Sequence, residues 1–302
     1  MKKIIINVLV NSFFICLIML GVLYREKVEY YYFKYLDINR KNITIDNNEY
    51  AKKEIVEGIK LTDDFVAKNK THLINIYYTI INSGVQSFTF YCSVDYDDCL
   101  NDIGMLSKQN DELSIINDLV NPYNSFSSIL TSYTEKGQVN LEIQKLYSNS
   151  EIKQIDYLVD NLIKTKLNSS DSNREKIKTI HDYLINNSRY DVNNKSTKNA
   201  TAYGLLVDHL GTCNGYSDAF AIIMNHMGIE NYKISNSKHV WNYVKLDNKW
   251  YHIDLTWDDP VTNDGKDYLK YYYFLLTDKE LDKINDNKID HYYEKDLYKV
   301  KD

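Results

Sequence analysis

Hydrophobic and polar positions alternate in different ways along the chain, and the first regime is an unbroken apolar run. After Met1-Lys2-Lys3 no charge occurs from Ile4 to Tyr24, and Arg25, Glu26 and Lys27 close the run. As a helix it reaches about 31 Å at about 1.5 Å per residue, enough for the hydrocarbon core of a bilayer. A basic start before an apolar stretch is also how a secretory signal begins. No small-x-small cleavage pattern stands near Gly21-Val22-Leu23, and Ile15 is too large to precede a lipidated Cys16. The expectation is a retained signal anchor over 1–24, single-pass, with the C-terminal bulk outside the cytoplasm; a cleaved signal peptide is the alternative. The basic residues orient it only weakly, because Arg25 and Lys27 offset Lys2 and Lys3.

Residues 25–61 are charged, polar and Tyr-rich, which reads as a linker or stalk. From Thr62 the apolar positions Val66, Leu73, Ile76, Tyr77 and Ile80 recur at helical spacing, and Gly84 ends them. Gln86 to Val94 reads as a strand, Leu100 to Leu119 as a helix, and Asn121-Pro122 as a break. Ser128–Tyr133 and Val139–Tyr147 read as two strands around Lys136-Gly137. Residues 62–149 are therefore expected to form a small α+β domain, and no chemical motif is visible in it. A helix opening at Ser150 carries Ile152, Ile155, Leu158, Val159 and Leu162 on one stripe. A second follows the capping box Ser172-Asn173-Arg174-Glu175, in which hydroxyl and carboxylate satisfy free N–H groups at a helix start. The run Tyr271–Leu276 reads as a final core strand, and Asp278–Asp302 as a polar tail with helical character at its start.

Composition narrows the function. The 302 residues are 44 % hydrophobic and carry a net charge of −6, so a core can form and no basic excess exists to neutralise phosphates. Nucleic acid is not an expected partner. The 28 tyrosines, with abundant Lys, Asn and Ile, read as the codon bias of an AT-rich genome. Of four cysteines, Cys16 lies in the anchor, Cys92 and Cys99 lie close together, and Cys213 stands alone. In an oxidising exterior Cys92 and Cys99 form a candidate disulfide; two reduced, unrelated thiols are the alternative.

The chemistry concentrates after Ala202. In Gly211-Thr212-Cys213-Asn214-Gly215-Tyr216, Cys213 falls in the first turn of a helix whose face continues through Tyr216, Phe220, Ile223 and Met227. A helix N-terminus stabilises thiolate, although a buried Cys also packs as a small hydrophobe. Next, His239–Leu246 and Lys249–Thr256 alternate around Asp247-Asn248, the pattern of a β-hairpin with a two-residue turn. Pairing Leu246 with Lys249 puts Trp241 opposite Asp254 and His239 opposite Thr256. His239, Trp241, His252, Asp254 and Thr256 then share one face, with His239 and Asp254 diagonal neighbours about 5–7 Å apart. Val240, Val244, Leu246, Tyr251, Ile253 and Leu255 share the other. A thiol needs a base to lose its proton, and an imidazole needs a carboxylate to fix its tautomer. Cys213, His239 and Asp254 have the types and order for this. A structural role is expected for His252, and packing or surface for His181. No metal site is expected: the histidines lack ligand spacing, and the acidic stretch Asp258–Asp267 lacks the EF-hand pattern.

These motifs, with Ala202-Tyr203-Gly204, His239-Val240-Trp241-Asn242 and Trp250-Tyr251-His252-Ile253-Asp254-Leu255-Thr256-Trp257-Asp258-Asp259-Pro260, resemble the transglutaminase-like superfamily of papain-like thiol enzymes. The resemblance covers about 176–260, and Val240 stands where that family usually has Ala. It implies an α+β catalytic domain over 150–302, with the Cys helix packed on an antiparallel sheet. It also implies Cys213 as nucleophile, His239 as general base and Asp254 as its orienting acid. Oxyanion or substrate contacts are expected from the Cys213 N–H, Tyr203 and Trp241, and no cofactor is implied. The expected chemistry is acyl transfer or hydrolysis at amide carbonyls of extracytoplasmic protein or wall peptide by a bacterial, membrane-anchored member. A Gln–Lys cross-linking enzyme and a non-catalytic interaction domain are the alternatives.

Overall fold

Helix α1 (Lys2–Leu23) carries the apolar run, and its backbone ladder continues through Tyr24 into α2 (Arg25–Asn39). The computed structural model describes residues 2–40, 43–54, 59–107, 110–193, 196–261, 268–284 and 290–298. Ile6–Leu23 has a mean hydropathy of 2.4 with none of it buried, so it is long and apolar enough to cross a membrane. Residues 25–39, read as linker or stalk, are helical and lean on the body. The Tyr30 hydroxyl donates to Asp95 at 2.7 Å, and the Arg40 guanidinium lies 3.6 Å from the centroid of Tyr91. Further on, the Tyr50 hydroxyl donates to Asp156 at 3.0 Å and Lys52 Nζ to the Asn231 carbonyl at 2.8 Å.

The next segment is a four-stranded sheet with three helices. Its strands are β1 (Val66–Ala67), β2 (Ser87–Cys92), β3 (Phe126–Tyr133) and β4 (Gln138–Lys145), in the order β1-β2-β4-β3. Its helices are α3 (Lys70–Ser83), α4 (Cys99–Leu106) and α5 (Asn110–Leu119). The helix expected from Thr62 begins later because Val66 and Ala67 pair with Tyr91 and Cys92. Asn69 then caps α3 by accepting from the His72 N–H at 2.9 Å. Gly84 ends α3 at φ +78°, a conformation that favours glycine. The single helix expected over 100–119 is two, α4 and α5. A disulfide joins Cys92 to Cys99, tying the end of β2 to the start of α4 with Cα atoms 5.9 Å apart.

Four helices and five short strands complete the body. They are α6 (Asn149–Lys166), α7 (Asn173–Asn187), β5 (Arg189–Tyr190), α8 (Ala202–Val207), β6 (Leu210–Gly211), α9 (Cys213–His226), β7 (Asn231–Ser235), β8 (Val240–Leu246) and β9 (Lys249–Ile253). Two short helices follow, α10 (Leu255–Asp258) and α11 (Asp278–Leu281). Capping boxes start both α6 (Ser148 with Glu151) and α7 (Ser172 with Glu175).

The antiparallel sheet β7-β8-β9 has a core on each face. Alternation along β8 decides which residue goes where: Val244 and Leu246 join Phe220, Ile223, Ile180 and Val159 on one side. Trp241 and Tyr243 point the other way and join Ile76, Phe90, Leu141 and Ile116 of the preceding segment. Residues 62–149 and the C-terminal half therefore share one of these two cores.

The β8–β9 hairpin has the expected register, Leu246 opposite Lys249, with Asp247 and Asn248 both at positive φ as a type I′ turn requires. The ladder stops at Ile253, so Trp241–Asp254 and His239–Thr256 are not strand pairs. Asp254 instead caps α10, accepting from the N–H groups of Thr256 and Trp257. The run 271–276 is not a strand. It pairs with β9 at the single His252–Leu276 bridge among the described residues; the Tyr273 N–H goes to Asp258, and Leu275 sits at φ +55°. Of the acidic stretch 258–267, residues 262–267 lie outside the described residues, as do 285–289 and 299–302 of the tail.

Candidate active site

Cys213 is the first residue of α9, and the chain before it is shaped to bring it there. The Thr212 N–H donates to the Asn199 carbonyl at 2.8 Å, folding the 197–201 turn across the helix start. Gly215 makes that approach feasible: a Cβ there would stand 2.6 Å from the Asn199 carbonyl oxygen. Farther along α9, Ser217 Oγ donates to the Val240 carbonyl at 3.1 Å, and Asn242 Nδ2 donates to the Ser217 carbonyl at 3.0 Å. Two bonds thus bolt the thiol-bearing helix to the strand that follows His239.

His239 enters from the turn before β8, where the Asn236 side chain accepts its N–H at 3.0 Å. Its Nε2 donates to Asp254 Oδ2 at 2.5 Å, and Cys213 is its other acidic neighbour. The structure thus brings Cys213, His239 and Asp254 together. Burial disfavours the His239 imidazolium, but the Asp254 carboxylate and then Cys213 outweigh it and push its pKa up to about 10.

Asp254 is buried, and burial pushes its pKa up. Its donors reverse this and hold it well below the usual carboxylate range. Oδ1 accepts from the Thr256 N–H at 3.0 Å, Thr256 Oγ1 at 2.6 Å and the Trp257 N–H at 3.2 Å. Oδ2 accepts from His239 and also from His291 Nε2 at 2.8 Å. The carboxylate that caps α10 is thus also the one that bonds His239.

Two expected contributors are placed otherwise. The Trp241 ring stacks on His239 with centroids 5.8 Å apart, but its single N–H donates to His252 Nδ1 at 3.0 Å and is not offered to an oxyanion. His252 in turn donates from Nε2 to Asp278 at 2.9 Å, the structural role expected of it. The Tyr203 hydroxyl donates to Gln154 at 3.3 Å, because α8 turns that ring towards α6 and beneath Lys198. His181 is buried between Asp182 and Asp258, at 3.0 and 3.1 Å.

Two residues at the site were not foreseen. Tyr190 stands beside Cys213, close enough for both its backbone N–H and its thiol to act on the Tyr190 hydroxyl. Burial and the neighbouring Cys213 push its pKa up. Tyr190 is one of 28 tyrosines, and His291 lies 37 residues beyond Asp254, so neither is marked by local pattern.

Clefts open on either side of His239. One, of about 370 Å³, is lined by Cys213, His239, Asp118, Phe126, Lys233 and Asn236 among others, so α5 and β3 supply part of its wall. In its lining Lys233 pairs with Asp218 at 2.7 Å, and Asp118 accepts from Ser235 and Tyr298 at 2.5 and 2.7 Å. Burial pushes Asp118 up to about 6. The other cleft, of about 280 Å³, is lined by Tyr190, His239, Trp257, Pro260 and Val261 among others.

Among the described residues, His239, Asp254 and His291 are a set that could hold a metal, with ligand atoms within 4.8 Å of one another. Their N···O separations of 2.5 and 2.8 Å are those of shared protons. Ligands about a zinc ion bonded at ~2.0–2.1 Å would stand roughly 3.3 Å apart.

The helix that presents Cys213 at its first turn is packed on the antiparallel sheet β7-β8-β9, a mixed α+β arrangement. Residues 160–255 match the family model described as the Transglutaminase-like superfamily. Similar solved structures include one described as a TGase, 18 % identical over 44 % of each chain with a TM-score of 0.33. Another, from Cytophaga hutchinsonii and named provisionally as a cysteine protease, is 13 % identical with a TM-score of 0.29. It covers 43 % of this chain and 61 % of its own, so the chain spans less than two thirds of either relative. No curated protein matches the chain.

Proposed function

We propose that this protein is a thiol enzyme that cleaves or transfers acyl groups at amide carbonyls, with Cys213 as nucleophile, His239 as general base and acid, and Asp254 as its orienting carboxylate. The observation that carries this reading is His239 held between the Cys213 thiol and Asp254 Oδ2, 2.5 Å away. With its pKa raised to about 10, His239 keeps its proton at neutral pH and favours the thiolate–imidazolium pair. Sγ attacks the carbonyl carbon, and the carbonyl oxygen takes up charge near the Cys213 N–H. The imidazolium gives its Nδ1 proton to the leaving amine as the C–N bond breaks, leaving a thioester. An acceptor, water or an amine, then gives its proton to Nδ1, attacks the thioester and releases the thiolate.

The helix Ile6–Leu23 supports a membrane anchor, and the Cys92–Cys99 disulfide suits an oxidising exterior. Together they favour an extracytoplasmic catalytic domain acting on protein or wall peptide. The test is full-length protein in detergent offered glutamine-containing peptides with and without a fluorescent primary amine, beside Cys213→Ala. Ammonia release or peptide cleavage without amine incorporation marks a hydrolase; amine incorporation marks a transferase. Iodoacetamide modification of Cys213 no faster than that of a denatured control thiol overturns the reading.

A further inference from the structure

We propose that His291 is a positioning residue of this site: by donating from Nε2 to Asp254 Oδ2 it holds the carboxylate charged and aimed at His239. The proposal rests on the thiol reading above and extends the three-residue site to a fourth group. Four observations carry it. His291 and His239 donate to the same oxygen, at 2.8 and 2.5 Å. The remaining oxygen, Oδ1, is taken by Thr256 and Trp257, so His291 is the described group besides His239 that fixes Oδ2. His291 is itself buried, stacked on Tyr273 with centroids 4.6 Å apart and set edge-on against Trp241 and Trp257. Finally, the segment bearing it is anchored on both sides. Asn236 Nδ2 donates to the Asp290 and Tyr292 carbonyls at 2.9 Å, and the Tyr298 hydroxyl donates to Asp118 at 2.7 Å.

The physical need is plain. A carboxylate removed from water stays ionised only if donors replace the solvent. Oδ2 otherwise relies on His239 alone, the group whose proton moves during catalysis. A second, non-reacting donor keeps that oxygen in place while His239 changes charge. The titratable groups around the pair are Cys213, Tyr190, His252, Asp258 and Tyr273. Of these, Asp258 opposes ionisation of its acidic neighbour, which increases the need for a donor.

The test needs no substrate. Iodoacetamide alkylation of Cys213 is followed at pH 5 and pH 8 in full-length wild type, His291→Phe, His291→Gln and Asp254→Asn. Phenylalanine keeps a ring against Tyr273 and removes the donor, and glutamine puts an N–H near the Nε2 position. We expect His291→Phe to lose about ten- to a hundredfold in rate at pH 5 relative to pH 8, the size of one charge-assisted hydrogen bond. Glutamine should restore the wild-type ratio, and Asp254→Asn should fall at least as far as phenylalanine. Should the phenylalanine variant not fold, His291→Met repeats the measurement. A donor-less variant with the wild-type ratio, or one slowed equally at both pH values, overturns the proposal. A wild-type Cys213 no faster than a free thiol at pH 5 overturns the thiol reading instead.

Discussion

Replacing Asp254 with asparagine removes the charge and leaves the shape. In the wild type the His239 pKa stands at about 10, against an ordinary imidazole value of about 6.5. At about 1.4 kcal/mol per pKa unit, the surroundings favour the imidazolium by at most about 5 kcal/mol. That is near the 3–5 kcal/mol that breaking a buried ion pair typically costs. Two consequences follow. The alkaline inflection in Cys213 alkylation, where the His239 proton is lost, should move from about pH 10 to about 6.5 or below, because burial lowers His239 once the carboxylate is gone. Stability should change with pH in a matching way. A raised imidazole stabilises fully below about pH 6.5 and loses that contribution as pH rises through about 10; the depressed Asp254 loses its own as pH falls below about 3.9. Wild type should therefore lose stability relative to Asp254→Asn between about pH 6.5 and 10, measured as urea midpoints at each pH. An alkaline inflection at the same pH in both proteins would refute the assignment of Asp254 as the partner that charges His239.

Other substitutions probe the scaffold. Gly215→Ala drives a Cβ to 2.6 Å from the Asn199 carbonyl oxygen, so a loss of about 1–3 kcal/mol is expected in urea titration, with slower Cys213 alkylation because the helix start must shift. Trp241→Phe keeps the ring against His239 but leaves the buried His252 Nδ1 without its donor; a loss of about 1–3 kcal/mol is expected, and an unchanged midpoint would show that the bond contributes nothing. Deleting residues 1–24 should move the protein from the membrane to the soluble fraction, whereas release of the intact chain by high salt would argue against a spanning anchor.

Local pattern carried much of this molecule. Alternation from His239 to Thr256 around Asp247-Asn248 was enough for the hairpin register, because slipping by one residue would turn Val244 and Leu246 out of their core. The Ser172–Glu175 box placed α7, and the Cys213 segment placed the start of α9. Pattern failed where distant contacts decide. The apolar run 271–276 has strand composition, but Asp258 takes the Tyr273 N–H. Val66 fits a helical stripe, yet β2 offers it a partner in Tyr91. Trp241 reads as a site residue, and only the fold reveals that His252 already accepts its N–H. His291 and Tyr190 reach the site from elements separated from it in sequence, a meeting that no window of neighbouring residues encodes.

Because β7, β8 and β9 are covered on both faces, cutting the chain at residue 150 would bare one face of that sheet. Excision would strip the cover from Tyr232, Ile234, Trp241 and Tyr243, uncovering side chains worth very roughly 6–12 kcal/mol together. The segment that bears no recognisable chemistry is thus the back wall of the strand that follows His239, so a substitution in its core reaches the candidate site from behind.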